Sequence, residues 1–118
     1  MRRLVRRRDR ARQDLIDIFR FLAREADLRT AGRFFLQAET TFKRLARMPG
    51  LGSLYEPENP AFGDIRFFPI SRFKKHLVFY LPTSEGVDII RILHGSRDID
   101  GILAEDLGID PTDDDFET

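Results

Sequence analysis

Apolar residues recur at helical spacing in the first half of the chain and at strand spacing in the second. Ala11, Leu15, Ile18, Phe19 and Leu22 fall on one face of a 3.6-residue period, and Ile16 and Phe21 widen that stripe. Ala31, Phe34, Phe35, Ala38, Phe42 and Leu45 form a second face of the same kind. Asp9 and Thr30 stand where N-caps are expected, and a break around Glu25 to Arg29 lets the chain reverse. Met48-Pro49-Gly50-Leu51-Gly52 stops the second helix, because proline cannot continue the amide ladder and glycine accepts positive φ. Two amphipathic helices with a short connection predict an antiparallel helical hairpin, and its aromatic faces need a broad apolar surface to cover.

Later residues supply that surface. Ile65 to Ile70, Leu77 to Leu81 and Val87 to Leu93 are rich in β-branched and aromatic residues and read as strands, the last two joined through Pro82-Thr83-Ser84-Glu85-Gly86. Alternation sorts the final strand into Val87, Ile89, Arg91 and Leu93 on one side and Asp88, Ile90, Ile92 and His94 on the other. Both sides are mostly apolar, so this strand is expected inside the sheet. If the connection pairs Leu81 with Val87, Phe79 meets Ile89 and Leu77 meets Arg91, although a loop bulge shifts such a register by one.

Leu4 and Val5 anchor a short edge strand within Arg2 to Arg8, whose charges discourage unwanted pairing. Ile99, Ile102, Leu103 and Leu107 space like a short helix that Gly108 ends. The expected fold class is α+β: an N-terminal edge strand, a helical hairpin packed on a small antiparallel β-sheet, and a short C-terminal helix. At 118 residues the chain holds one domain, over 1–107, followed by an acidic tail over 108–118 that is expected to stay flexible.

Charge changes this picture more than composition does. Formal net charge is zero, yet all 20 basic side chains lie before Asp98, while nine of the 20 acidic ones lie from Asp98 onward. A basic body suggests an anionic partner, either an acidic protein segment or a phosphate backbone. The same charges also fit solvated helix faces with a solubilising tail. The sequence has no cysteine and two separated histidines, which argues against a disulfide framework or a structural zinc, and no cofactor is expected. With no apolar run near membrane-spanning length and no signal-peptide core after the Arg-rich start, a cytoplasmic location is expected.

Candidate chemistry gathers at the end of the last strand. Arg91 interrupts an apolar face, so it requires a paired acid such as Asp98, Asp64 or Asp14, or else that face opens toward a ligand. His94 precedes Gly95 at the strand end, where its side chain reaches solvent. Ser96 lies close to His94 but has no identifiable third member of a triad. Arg97 and Asp98 also fit a plain turn and helix cap.

Ala11, Asp14-Leu15, Ile18, Pro49-Gly50-Leu51-Gly52, Ile65-Arg66, Val78-Phe79-Tyr80, and above all Val87 through Asp98 (VDIIRILHGSRD) closely resemble the ParE branch of the RelE/ParE toxin superfamily, over about residues 4–105. The resemblance implies the toxin half of a bacterial type II toxin-antitoxin pair, a role linked in this family to plasmid stabilization. Its partner would be a cognate ParD-like antitoxin whose C-terminal segment wraps the toxin. ParE-like members inhibit DNA gyrase without covalent chemistry of their own, whereas RelE-like members cleave messenger RNA in the ribosome. Partner contacts are then expected at Arg66, Arg91, His94, Arg97 and Asp98, and a ribonuclease would draw on His94, Arg91, Arg66 and Arg97, with Lys74 as a further cation. The RelE branch carries a C-terminal tyrosine or histidine as acid or base, but no Tyr, His or Lys follows His94 here. That departure favours gyrase inhibition over enzymatic cleavage, with no sequence-specific DNA binding by the toxin itself; a domain that only binds a partner is a third reading.

Overall fold

The computed structural model describes residues 3–109, so the acidic run from 110 to 118 lies outside the described residues. The chain runs β1 (Leu4–Arg7), α1 (Asp9–Glu25), α2 (Leu28–Arg47), β2 (Ser53–Leu54), β3 (Arg66–Ile70), β4 (Phe73–Thr83), β5 (Gly86–His94) and α3 (Ile99–Leu107). Single 3-10 turns at Pro49–Leu51 and Pro60–Phe62 shape the long connection into β3. The strands form one sheet in the order β1-β5-β4-β3-β2. β1 lies at the expected edge but pairs parallel with β5, while every other neighbouring pair is antiparallel. This parallel pairing follows from the connectivity, since α1, α2 and the other strands intervene before the chain returns beside β1.

The helix starts differ from the expected caps. Asp9 lies inside the first turn of α1, where its charge favours the positive dipole end, and Arg8 occupies the cap position with no side-chain bond to the helix amides. α2 begins before Thr30 because Asp27 is the cap, its carboxylate accepting the Thr30 amide at 2.7 Å. That hydrogen bond holds the Asp27 carboxyl below its ordinary value. The reversal between helices is therefore tighter than the sequence suggests, confined to Ala26 and Asp27.

Both sheet faces are covered. Ala11 and Leu15 of α1 and Phe34, Ala38, Phe42 and Leu45 of α2 pack on Val78, Tyr80, Val87, Ile89 and Ile92. On the opposite face Leu103 of α3 joins Phe62, Ile65, Phe79, Ile90 and Leu93. Tyr80 carries a polar group through the first core: its hydroxyl donates to the Pro49 carbonyl at 2.7 Å and accepts the Gly52 amide at 2.8 Å. A side chain on Gly52 would come within 2.6 Å of that hydroxyl, so the loop lies against the sheet only with glycine there.

The β4–β5 register departs from the pairing of Leu81 with Val87. Thr83 faces Gly86 across a two-residue turn, so Pro82 meets Val87 and Tyr80 meets Ile89. A bulge then shifts the ladder, so that Phe79 meets Arg91 and Leu77 meets Leu93. Gly86 has φ 150°, and a Cβ there would lie 2.0 Å from the Leu4 carbonyl oxygen. The short turn thus depends on a residue that lets β1 approach closely. The bulge adds one residue to β5 near Ile90, which simple alternation cannot anticipate.

Phe42→Ala is expected to lower unfolding free energy by about 3–5 kcal/mol, because its ring is fully buried. Phe35→Ala, at a position 42% exposed, is expected to change it by about 0.5 kcal/mol or less. Urea denaturation of the two variants checks both values.

Candidate functional site

β1 ends at Arg7 opposite Ile89, so beyond that point one edge of β5 has no neighbouring strand. Asp14 of α1 fills the gap. Its Oδ2 accepts the Ile92 amide at 2.9 Å, and its two oxygens take Arg91 Nε at 2.7 Å and Nη2 at 2.9 Å. Arg91 Nη1 donates to Asp106 of α3 at 2.6 Å, and Arg10 stands 3.5 Å from the other oxygen of Asp106. Arg91 is only 4% exposed. The Asp14 hydrogen bonds, with help from Asp106, hold its pKa above the ordinary guanidinium value despite burial. Of the acids named from sequence, Asp14 is the partner; Asp106 is an addition that spacing alone did not suggest. Arg91 is therefore enclosed in the frame, its donors turned toward two half-buried carboxylates rather than toward solvent.

Two other candidates also hold structure together. Arg66 Nη1 donates to the Gly52 carbonyl at 2.6 Å, tying β3 to the loop after α2. Asp98 caps α3 by accepting the Gly101 amide at 3.2 Å. Arg97 is exposed and has no ion pair among the described residues. His94 Nδ1 accepts the Ser96 amide at 3.0 Å and lies 2.8 Å from Ser96 Oγ, so in the neutral ring the proton sits on Nε2. That contact orients the imidazole rather than preparing a nucleophile, since no acid completes a triad.

His94 lies directly opposite His76 in the β4–β5 ladder, with ring centroids 5.2 Å apart. Burial, with a smaller contribution from His94, pushes the His76 pKa below its ordinary value. Phe34 packs edge-on against His76 and Phe73, each at 5.3 Å. These rings floor a groove of about 490 Å³ lined by Arg72, Phe73, Lys74, Lys75, His76 and His94. No group of three or more potential metal-ligating side chains occurs among the described residues.

A second surface lies on the outside of the helical hairpin. Spacing places Phe35 on the apolar face of α2 and has Ile16 and Phe21 widen that of α1, yet Ile16, Phe21 and Phe35 are 45%, 51% and 42% exposed. Ile16, Phe19 and Phe35 line a groove of about 680 Å³ together with Leu15, Arg7, Arg12 and Arg20. Leu28 and Leu36 extend the exposed apolar area along α2. The signal was present in the sequence: both stripes are wider than one face of a helix packed on a sheet, and the surplus faces outward.

The family model for "ParE toxin of type II toxin-antitoxin system, parDE" matches residues 5–99. The chain belongs to the ParE toxin family. Among solved structures, the chromosomal ParDE toxin-antitoxin system from P. aeruginosa superposes with a TM-score of 0.62, covering 76% of this chain and 92% of that one at 17% identity. At that identity the likeness concerns the fold, and it agrees with the strand, helical hairpin, sheet and short terminal helix expected from sequence. A comparison with curated proteins finds no match. This toxin, as half of a parDE-type pair, has a cognate antitoxin for a partner. No helix among the described residues is long and apolar enough to cross a membrane.

Asp14→Ala is expected to lower stability by about 3–5 kcal/mol, because it leaves a buried guanidinium half paired and the Ile92 amide unpaired; chemical denaturation measures the loss. His76 gives a separate expectation. Its folded-state pKa is lowered, so the unfolded chain takes up the proton first and stability falls as pH drops through about 6.5. Urea midpoints at about pH 7.5 and about pH 5.5 should differ more in the wild type than in His76→Gln.

Proposed function

We propose that this ParE-family toxin acts by inhibiting DNA gyrase and does not itself cleave RNA. The observation that carries the reading is the engagement of the groups an RNA cleavage would need. Arg91 is enclosed by Asp14 and Asp106, and Arg66 is held by a loop carbonyl. Cleavage through a 2′-hydroxyl requires a base, an acid and free cations converging on one phosphate. His94, Arg97 and the groove cations Arg72, Lys74 and Lys75 remain near the surface, but burial disfavours a protonated His76, so the groove offers cations without a paired general acid and base. The sequence also supplies no tyrosine, histidine or lysine after Arg97.

The antitoxin's place in this reading is the groove on the outer face of the hairpin. Ile16, Phe19 and Phe35 supply an apolar floor, and Arg7, Arg12 and Arg20 supply a cationic margin. That combination fits an amphipathic antitoxin segment with apolar residues at helical spacing and carboxylates beside them.

Purified toxin is expected to block gyrase supercoiling, to leave ribosome-bound messenger RNA intact, and to lose its effect when antitoxin is added. Ribosome-dependent cleavage that disappears in His94→Ala would overturn the reading. Phe35→Glu is expected to weaken antitoxin binding about tenfold to a hundredfold, the equivalent of one buried aromatic contact, with its thermal midpoint unchanged. Calorimetric titration of the antitoxin into the variant measures this.

A further inference from the structure

We propose that the groove between the β3–β4 turn and the end of β5 is a binding site for single-stranded nucleic acid, read by backbone charge and base stacking and independent of sequence. Three observations converge on it. The first is uncompensated charge. Arg7, Arg8, Arg10, Arg24 and Arg91 each have a carboxylate within ion-pair distance. Arg72, Lys74 and Lys75, which line the groove, have no such partner among the described residues, a state they share with Arg97 in the turn that follows His94 and with cations elsewhere such as Arg12 and Arg20. No carboxylate lines the groove.

The second observation is the floor. Phe73, His76 and His94 present three ring systems, and Phe34 beneath them holds Phe73 and His76 edge-on at 5.3 Å. Cations at the margin of an aromatic floor are what a single strand needs: phosphates track the charges, and unpaired bases stack on the rings. A duplex keeps its bases stacked internally and could use only the charges. The groove is shallow and open along its length, with a volume of about 490 Å³, a shape that a strand lies across rather than one that encloses a ligand.

The third observation is the state of His94. Because Nδ1 accepts from the Ser96 amide, the neutral ring directs a donor, Nε2–H, away from that turn. A donor suits a phosphate oxygen or a base acceptor. A metal ion on Nε2 would instead demand a proton on Nδ1, which the Ser96 amide opposes, and the adjacent lysines would repel it. Backbone geometry supports the placement: Arg72 is held at φ 68° in the two-residue turn between Ile70 and Phe73, and the Gly95 amide donates to the Lys75 carbonyl at 2.8 Å. The cationic turn and the histidine turn are thereby fixed side by side. None of this depends on gyrase being the target.

The test is fluorescence anisotropy of a labelled single-stranded oligonucleotide of about 10 residues, titrated with full-length toxin at several salt concentrations. Wild type is expected to bind, with log K falling linearly in log salt at about −0.7 per phosphate contacted. The triple variant R72Q/K74Q/K75Q is expected to bind at least about tenfold more weakly and to flatten the salt slope by about 2. R29Q/K43Q/R47Q, which removes as many cations from α2, is expected to bind as wild type does. Unchanged thermal midpoints and retained antitoxin binding show that both variants are folded. The proposal is overturned if wild type does not bind at low salt, or if the two triple variants lose affinity equally. It is also overturned if a duplex of the same length or polyglutamate binds as tightly as the single strand, which would assign the groove to charge alone or to an acidic protein.

Discussion

Burial of the Arg91 guanidinium is the constraint around which the rest of the toxin is arranged. A cation removed from water is tolerable only when every donor meets an anion, and here the anions come from two different helices: Asp14 on α1 and Asp106 on α3. α1 belongs to the layer on one face of the sheet and α3 to the layer on the other. One side chain at the open edge of β5 therefore links both layers to the strand between them. Asp14 also accepts the Ile92 amide, replacing the hydrogen bond that β1 would provide if it continued past Arg7. Ending β1 early and turning into α1 is thus compatible with a satisfied sheet edge only because that acid stands one and a half turns into the helix.

The bulge in the β4–β5 ladder depends on the same region. Before it, Val87 and Ile89 face the helical hairpin; after it, Ile92 faces the hairpin while Ile90 and Leu93 face α3. Without the extra residue, strict alternation would put Ile92 and His94 on the side opposite Ile89. His94 would then lie away from Phe34. As built, it stands across from His76 with Phe34 packed on the latter, and the aromatic floor beside Arg72, Lys74 and Lys75 is complete. A one-residue irregularity in the strand thus decides which surface the histidines serve.

These dependences explain what was legible in the chain. Element order, the inner position of the last strand, the edge position of β1 and the helical stop at Pro49 follow from periodicity and backbone chemistry, which are local. So does the need for an acid at Arg91, because desolvation is insensitive to context. The register was not legible, since a two-residue turn at Ser84-Glu85 and a bulge near Ile90 change pairing without altering composition. The partner Asp106 was hidden because it lies on a short helix whose docking depends on the second core. Asp98 takes the cap role that its place before the last helix allowed, whereas the hold of Arg66 on the loop carbonyl depends on a backbone position that only the fold defines. The resemblance of the Val87 to Asp98 motif located the family correctly because that segment combines the buried arginine, the bulged strand and the cap of α3, all of which serve the fold.

The surplus apolar surface has a different origin. Phe34 and Phe35 are adjacent on α2, about 100° apart around the helix, so the sheet can bury one only by leaving the other outward. Ile16 and Phe21 on α1 and Leu28 and Leu36 on α2 are exposed as well, although they point to different sides of the hairpin. Exposed side chains of this size favour association, a burden for a chain meant to remain alone. With the antitoxin seated in the groove lined by Ile16, Phe19 and Phe35, as proposed, the burden becomes a binding free energy that stabilises the folded toxin by mass action. The groove over Phe73 and the histidines draws on the neighbouring residue instead, since Phe34 packs against Phe73 and His76, so two adjacent phenylalanines of α2 serve two different surfaces.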